Sequence, residues 1–212
     1  MLSEFVDVLF IVDSNDAMYE RKNEVNRWIK NLSSALKQRY ESFQMRFGCI
    51  KYKTLQSKTE CFDFDSDIDN LSDFLMTPAE DYVSPLIEAF DYQWNGVKII
   101  YWIAAGPAYG KRFCGHFDYN HQDQEEKLVK MIEKLANDNY IFFAVQVGNG
   151  AHQTFTQFRE IYQNSNKSPI FKMVEYSTVI NKETILLPIV SYAVYIPNEF
   201  QQKKRPRIFR PS

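Results

Sequence analysis

The 212-residue chain is poor in the residues that break regular structure, with only 7 Gly and 8 Pro, and in cysteine, with 3. So little Gly and Pro excludes a low-complexity or disordered chain. Cys49, Cys61 and Cys114 are odd in number and unrelated in spacing, which excludes a disulfide framework and points to a reducing, intracellular compartment. No apolar run reaches the roughly 20 residues that span a bilayer. The longest candidates, Val97–Ala105 and Ile185–Ile196, are short or interrupted by polar residues. The N-terminal stretch from Met1 to Asp7 lacks the basic region and small-residue cleavage site of a secretory signal, and it is acidic where a cleaved mitochondrial presequence is arginine-rich. A cytoplasmic chain is expected. Its abundance of Lys, Asn, Tyr and Ile, compatible with an AT-rich genome, leaves a ciliary or mitochondrial assembly open.

What is present is a large apolar fraction, 45%, and an aromatic share of 16%. A single domain of this size buries roughly 70% of its unfolded surface, and much of the aromatic content is expected there. Any surplus on the surface would suit a protein interface. Charge is unevenly placed. Of 25 basic residues, five (Lys203, Lys204, Arg205, Arg207 and Arg210) fall in the last twelve positions, which hold no acid. The rest of the chain has 20 basic and 27 acidic residues, a net of −7. An acidic body excludes a nucleic-acid-binding domain and leaves only the tail for such a role. We divide the chain into a domain over 1–198 and a basic tail over 199–212.

Phe5–Val12 is a near-continuous apolar run ending in Asp13, as a strand buried on both faces requires. Ser14, Asn15 and Asp16 then suit a turn and a helix start. Val25, Trp28, Ile29, Leu32 and Leu36 recur at the spacing of one helical face. Met45–Tyr52 reads as a strand, and Cys61–Phe64 as an edge strand closing a hairpin with it. Helices are expected over Ile68–Met76 and Ser84–Trp94, the second with Pro85 in its first turn. Val97–Ala105 is the strongest strand, ending in Gly106-Pro107. A long loop over 106–123 precedes a helix carrying Leu128, Met131, Ile132 and Leu135. The strand Tyr140–Val147, the helix Phe155–Tyr162 and the strand Ile170–Val174 follow. Lys182–Val194 is taken as a final helix, with a strand over Ile185–Ile196 as the alternative. Strands alternating with helices predict an α/β, doubly wound, mostly parallel sheet flanked by helices. Its ligand site lies at the carboxyl ends of the strands, in the loops after Val12, Met76, Ala105 and Val147.

Those loops carry the informative motifs. Val6–Met18 delivers Asp13, Asn15 and Ala17 to the top of the sheet, and resembles the Asp-x-Ser/Thr-x-Ser motif of von Willebrand factor type A (vWA) domains. Ala79-Glu80-Asp81-Tyr82-Val83 is similar to the Pro-Glu-Asp-Val segment of the branch associated with alpha-kinases. Ile103 to Lys111 is similar to that branch's strand followed by Ala-Asp-Ala-Pro-x-His-Gly-Lys, and Asn139–Gly148 falls in order after it. The resemblance covers about Phe5 to Val174. It implies a Rossmann-like vWA fold and a site for a divalent cation, usually Mg²⁺, which needs hard oxygen ligands.

Here Asp13 stands as the first carboxylate, Asn15 replaces one hydroxyl and Asp81 occupies the second loop. Ala17 replaces the other hydroxyl and Ala105 replaces the third-loop Asp, so neither offers a ligand atom. Asp13, Asn15 and Asp81 are thus vestiges of a degenerate site, and no metal or other cofactor is expected.

Other candidates have plain alternatives. Cys114, His116, Asp118 and His121 share one loop, but no second Cys or His pair follows to complete a zinc site. A Cys–His nucleophile built from Cys49 or Cys114 with His152 lacks any motif placing a base beside the thiol. Gly106 to Lys111 lacks phosphate-loop spacing, and Pro107 removes an N–H that a phosphate cradle would use. Fewer than 40 residues follow Val174, too few for a kinase domain. No catalytic residue is expected. The expected role is a non-enzymatic scaffold subunit that contacts other protein subunits of a larger intracellular assembly. Tyr109, Phe113, Phe117 and Tyr119 are its candidate surface anchors, with the tail as a docking strap for an acidic surface. For the tail, an import signal, a phosphate-binding arm and a solvated segment remain alternatives. For the domain, the alternative is a metal-dependent module recognising an acidic partner residue.

Overall fold

A computed structural model describes residues 5–14, 18, 20–52, 60–67, 83–108, 110–114, 122–165 and 170–176. Six strands form one sheet: β1 (Phe5–Asp13), β2 (Gln44–Tyr52), β3 (Glu60–Asp65), β4 (Val97–Ala104), β5 (Ile141–Gln146) and β6 (Phe171–Glu175). Their order is β3-β2-β1-β4-β5-β6, and all pairings are parallel except β2 with β3. The described helices are α1 (Lys22–Arg39), α2 (Ser84–Asp91), α3 (Lys111–Cys114), α4 (Gln122–Asn137) and α5 (His152–Gln163). This is the doubly wound α/β architecture expected of the alternating pattern.

The apolar run of β1 follows from its place in the middle of the sheet. Val6, Val8, Phe10 and Val12 point into one core layer with Val25, Trp28, Ile29, Leu32 and Leu36 of α1. Leu9 and Ile11 point into the opposite layer, shared with α2, α3, α4 and α5. Both faces are covered, so the strand needs apolar residues at odd and even positions alike.

The aromatic content goes mostly into these layers. Beneath α1, Phe47, Phe10, Tyr101 and Phe143 stack in sequence across β2, β1, β4 and β5, with centroids 6.5, 5.6 and 4.5 Å apart. On the other face Tyr52, Trp102, Phe142 and Phe171 form a second row at 5.7, 6.2 and 5.3 Å. Such cross-strand pairs add to the area they bury. Among the described residues the one strongly exposed large apolar side chain is Ile87. The surface surplus of aromatics that composition allowed is therefore not found among them.

Several expected boundaries move. The helix from Ser84 ends at Asp91, not Trp94, because Tyr92 turns to extended backbone. Its hydroxyl lies 3.1 and 2.9 Å from the carbonyl oxygens of Cys49 and Phe62. It thereby bridges β2 and β3 beside the irregularity between Phe47 and Cys49. Gly48 sits there without a side chain; a Cβ would lie 3.0 Å from Tyr92. The expected loop over 106–123 contains α3, and α4 already begins at Gln122. Gly110, at φ 105°, starts that short helix by accepting the N–H groups of Phe113 and Cys114. The expected elements Ile68–Met76 and Lys182–Val194 lie outside the described residues.

Candidate functional site at the carboxyl end of the sheet

The order of the strands reverses between β1 and β4, the point at which doubly wound sheets carry their ligand site, at the carboxyl ends of the strands. Asp13 closes β1 at that point, and its side chain is buried, with the residue 1% exposed. Its Oδ2 lies 3.3 Å from both the Ala105 and the Gly106 nitrogens, whose N–H groups donate to it from the turn after β4. Ser14 fastens the same corner to β2, donating from both its N–H and its hydroxyl to the Tyr52 carbonyl, at 2.8 and 3.0 Å. The Tyr52 hydroxyl accepts the Trp102 indole N–H at 2.6 Å.

The turn after β4 is fixed from its other side by β5 and α5. The Val147 N–H donates to the Ala104 carbonyl at 2.9 Å. Gly150 packs so close to that turn that a Cβ would lie 2.1 Å from the Ala105 oxygen, so only glycine fits. The buried Thr154 hydroxyl accepts the Ala108 N–H and donates to the Phe113 carbonyl, at 2.9 and 3.2 Å. Arg112 joins α4 and α5 to this end through Glu125 and Gln157. Gln146, at the end of β5, donates to the Gly148 carbonyl, and its side-chain oxygen lies 3.2 Å from the His152 Nδ1.

The structure distributes the sequence candidates unevenly. Asp13 and Ala105 do come together, as their motif positions require. Asn15, Ala17, Asp81, Tyr109, Phe117 and Tyr119 lie outside the described residues, as do Lys203, Lys204, Arg205, Arg207 and Arg210. Phe113 is corrected: it is buried in the layer beneath α5, edge-on to Phe158 with centroids 5.6 Å apart, and is no surface anchor. Its polar sequence neighbours concealed a one-turn helix that carries it inward. Thr154, Gln146 and Gly150 were missed; the only sequence signal was the Gly148-Asn149-Gly150 turn after a buried strand.

Among the described residues the candidate nucleophiles are buried or already hydrogen-bonded. Cys49 is fully buried and burial pushes its thiol up, away from the reactive thiolate. The Cys114 thiol donates to the Gly110 carbonyl at 3.2 Å. His152 is paired with a neutral amide. Among the described residues no three His, Cys, Asp or Glu side chains converge as metal ligands, and no helix is long and apolar enough to cross a membrane.

No protein-family model matches the sequence, and no curated protein is significantly similar to it. Solved structures are similar in fold. The VWA domain of SpRpn10 superposes with a TM-score of 0.58 at 11% identity, over 84% of this chain and 90% of that one. The pilus adhesin SpaC from Lactobacillus rhamnosus GG, in its open conformation, gives 0.55 at 10% identity, over 93% of this chain. Proximal thread matrix protein 1 from the mussel byssus gives 0.51 at 14%, over 90% of this chain. This chain spans 30% of the SpaC chain and 45% of the thread protein, so it matches one part of each. Strand order and these superpositions agree: the chain has the fold of a von Willebrand factor type A domain.

Proposed function

We propose that the chain is a non-enzymatic protein-interaction domain, a scaffold subunit of a larger intracellular assembly, of the vWA branch associated with alpha-kinases. The observation that carries this reading is the state of Asp13. A hexacoordinate cation needs several oxygen ligands. The third-loop position offers the methyl group of Ala105, and the Asp13 carboxyl is already engaged by two backbone N–H groups. This donor set does not fit the cation of the family, so recognition is assigned to the protein surface of the sheet-top loops. The similar structures include one described as a pilus adhesin and one as a thread matrix protein, and the adhesin's description is compatible with this reading. The basic tail, 199–212, serves as a strap on an acidic neighbour, and Tyr109, Phe117 and Tyr119 remain the aromatic contacts to test.

The test is affinity purification of the tagged full chain from its native cells, with sizing in EDTA and in Mg²⁺. Recovery in a large stoichiometric complex in both buffers is expected. Recovery only in Mg²⁺ would replace this reading with a metal-dependent module recognising an acidic partner residue. A free monomer in both would overturn the scaffold reading. Removing 199–212 should weaken incorporation without lowering the melting temperature; unchanged incorporation removes the strap.

A further inference from the structure

We infer that Asp13 is a metal-independent latch. Its carboxyl group holds the turn after β4 through the N–H groups of Ala105 and Gly106, so the carboxyl end of the sheet is assembled without a cation. The inference deepens the functional reading above and rests on it only for the claim that this end meets a partner.

Three features converge on it. The donors reaching the carboxyl are backbone N–H groups, whose partial positive charge serves an acidic oxygen as a cation would, at no cost in metal dehydration. The opposite side of the same turn is fixed independently, by Gly150 against the Ala105 carbonyl, by Val147 on Ala104, and by Thr154 on Ala108. A turn held on that side alone would be free to lift from β1, and the Asp13 bonds close the remaining side. The replacement at position 105 also agrees in kind. In the family motif a second carboxylate stands at this position, and two carboxylates near one site favour a cation between them or a shared proton. Alanine brings no second charge to this end, and its backbone N–H donates to Asp13. The consequence is a surface ordered before any partner arrives, which lowers the ordering cost of binding.

Amide hydrogen exchange on the full chain, resolved by residue, tests this directly. In EDTA the Ala105 and Gly106 amides should be protected, and adding Mg²⁺ or Mn²⁺ should leave their rates unchanged. Asp13→Ala should speed both at least tenfold while Ile99 to Trp102 in β4 stay protected, which shows that the fold survives. Asp13→Asn, which keeps one acceptor oxygen, should fall between the two. Unprotected amides in metal-free wild type, or protection gained on adding metal, would overturn the latch without needing any variant. Unchanged rates in a folded Asp13→Ala variant would do the same. None of these readouts involves a partner, so failure of the latch is distinguishable from failure of the scaffold reading.

Discussion

The Thr154 hydroxyl accepts the backbone N–H of Ala108 at 2.9 Å, joining α5 to the turn that follows β4. The same hydroxyl donates to the Phe113 carbonyl, so one buried side chain serves two backbone groups of one connection. Thr154→Val keeps the shape but leaves both groups unserved in a dry layer. It should cost about 1–3 kcal/mol, or a fall in melting temperature of about 2–4 °C for each kcal/mol in a domain of this size. Thr154→Ser should recover most of the loss. A neutral Thr154→Val variant in a thermal melt would show that the hydroxyl fastens nothing.

At the opposite end of the sheet, Asp7 is fully buried and receives the Arg46 guanidinium in a two-pronged contact, at 2.8 and 3.0 Å. Arg46 also donates to the Gln93 carbonyl, and the Asn95 N–H donates to Asp7 at 2.5 Å, so the pair fixes the chain's entry into β4. Arg46→Met leaves a buried carboxyl without its counter-charge and should cost about 3–5 kcal/mol. Adding Asp7→Leu removes that charge and should restore at least half of the loss, although the Asn95 N–H then lacks its acceptor. Urea titration of the two single variants and the double variant gives the comparison. Additive losses would contradict the pairing.

What was legible in the sequence is what repeats along it. β1, β4 and β5 announce themselves because a strand covered on both faces is apolar at nearly every position, and α1 because its buried residues recur every three or four places. Asp13 and Ala105 were legible as a pair through motif order. Contacts between distant segments leave no such trace. Arg46 lies 39 residues from Asp7, and Thr154 lies 46 from Ala108; nothing local marks either as a partner. Phe113 misled for the reverse reason. Its neighbours are those of a solvated loop, and only the turn at Gly110 directs the ring into the core.

Cys49 gives the fold a weakness in alkali. Burial raises its thiol above the ordinary 9.0, and burial likewise raises Tyr101 above 10.0, as it does Tyr92 and Tyr140. Each group keeps its proton in the folded protein at a pH where the unfolded chain gives it up. Stability from these groups is therefore complete below their unfolded values and declines as pH rises past them. The decline should begin near pH 9 with Cys49, at a slope approaching about 1.4 kcal/mol per pH unit for a single group, and steepen near pH 10 as the tyrosines join. Cys49→Ala should thus move the onset from about pH 9 to about pH 10. Urea midpoints across that interval decide the matter, since an onset that stays near pH 9 in Cys49→Ala would mean that burial of Cys49 is not what the alkaline limb reports.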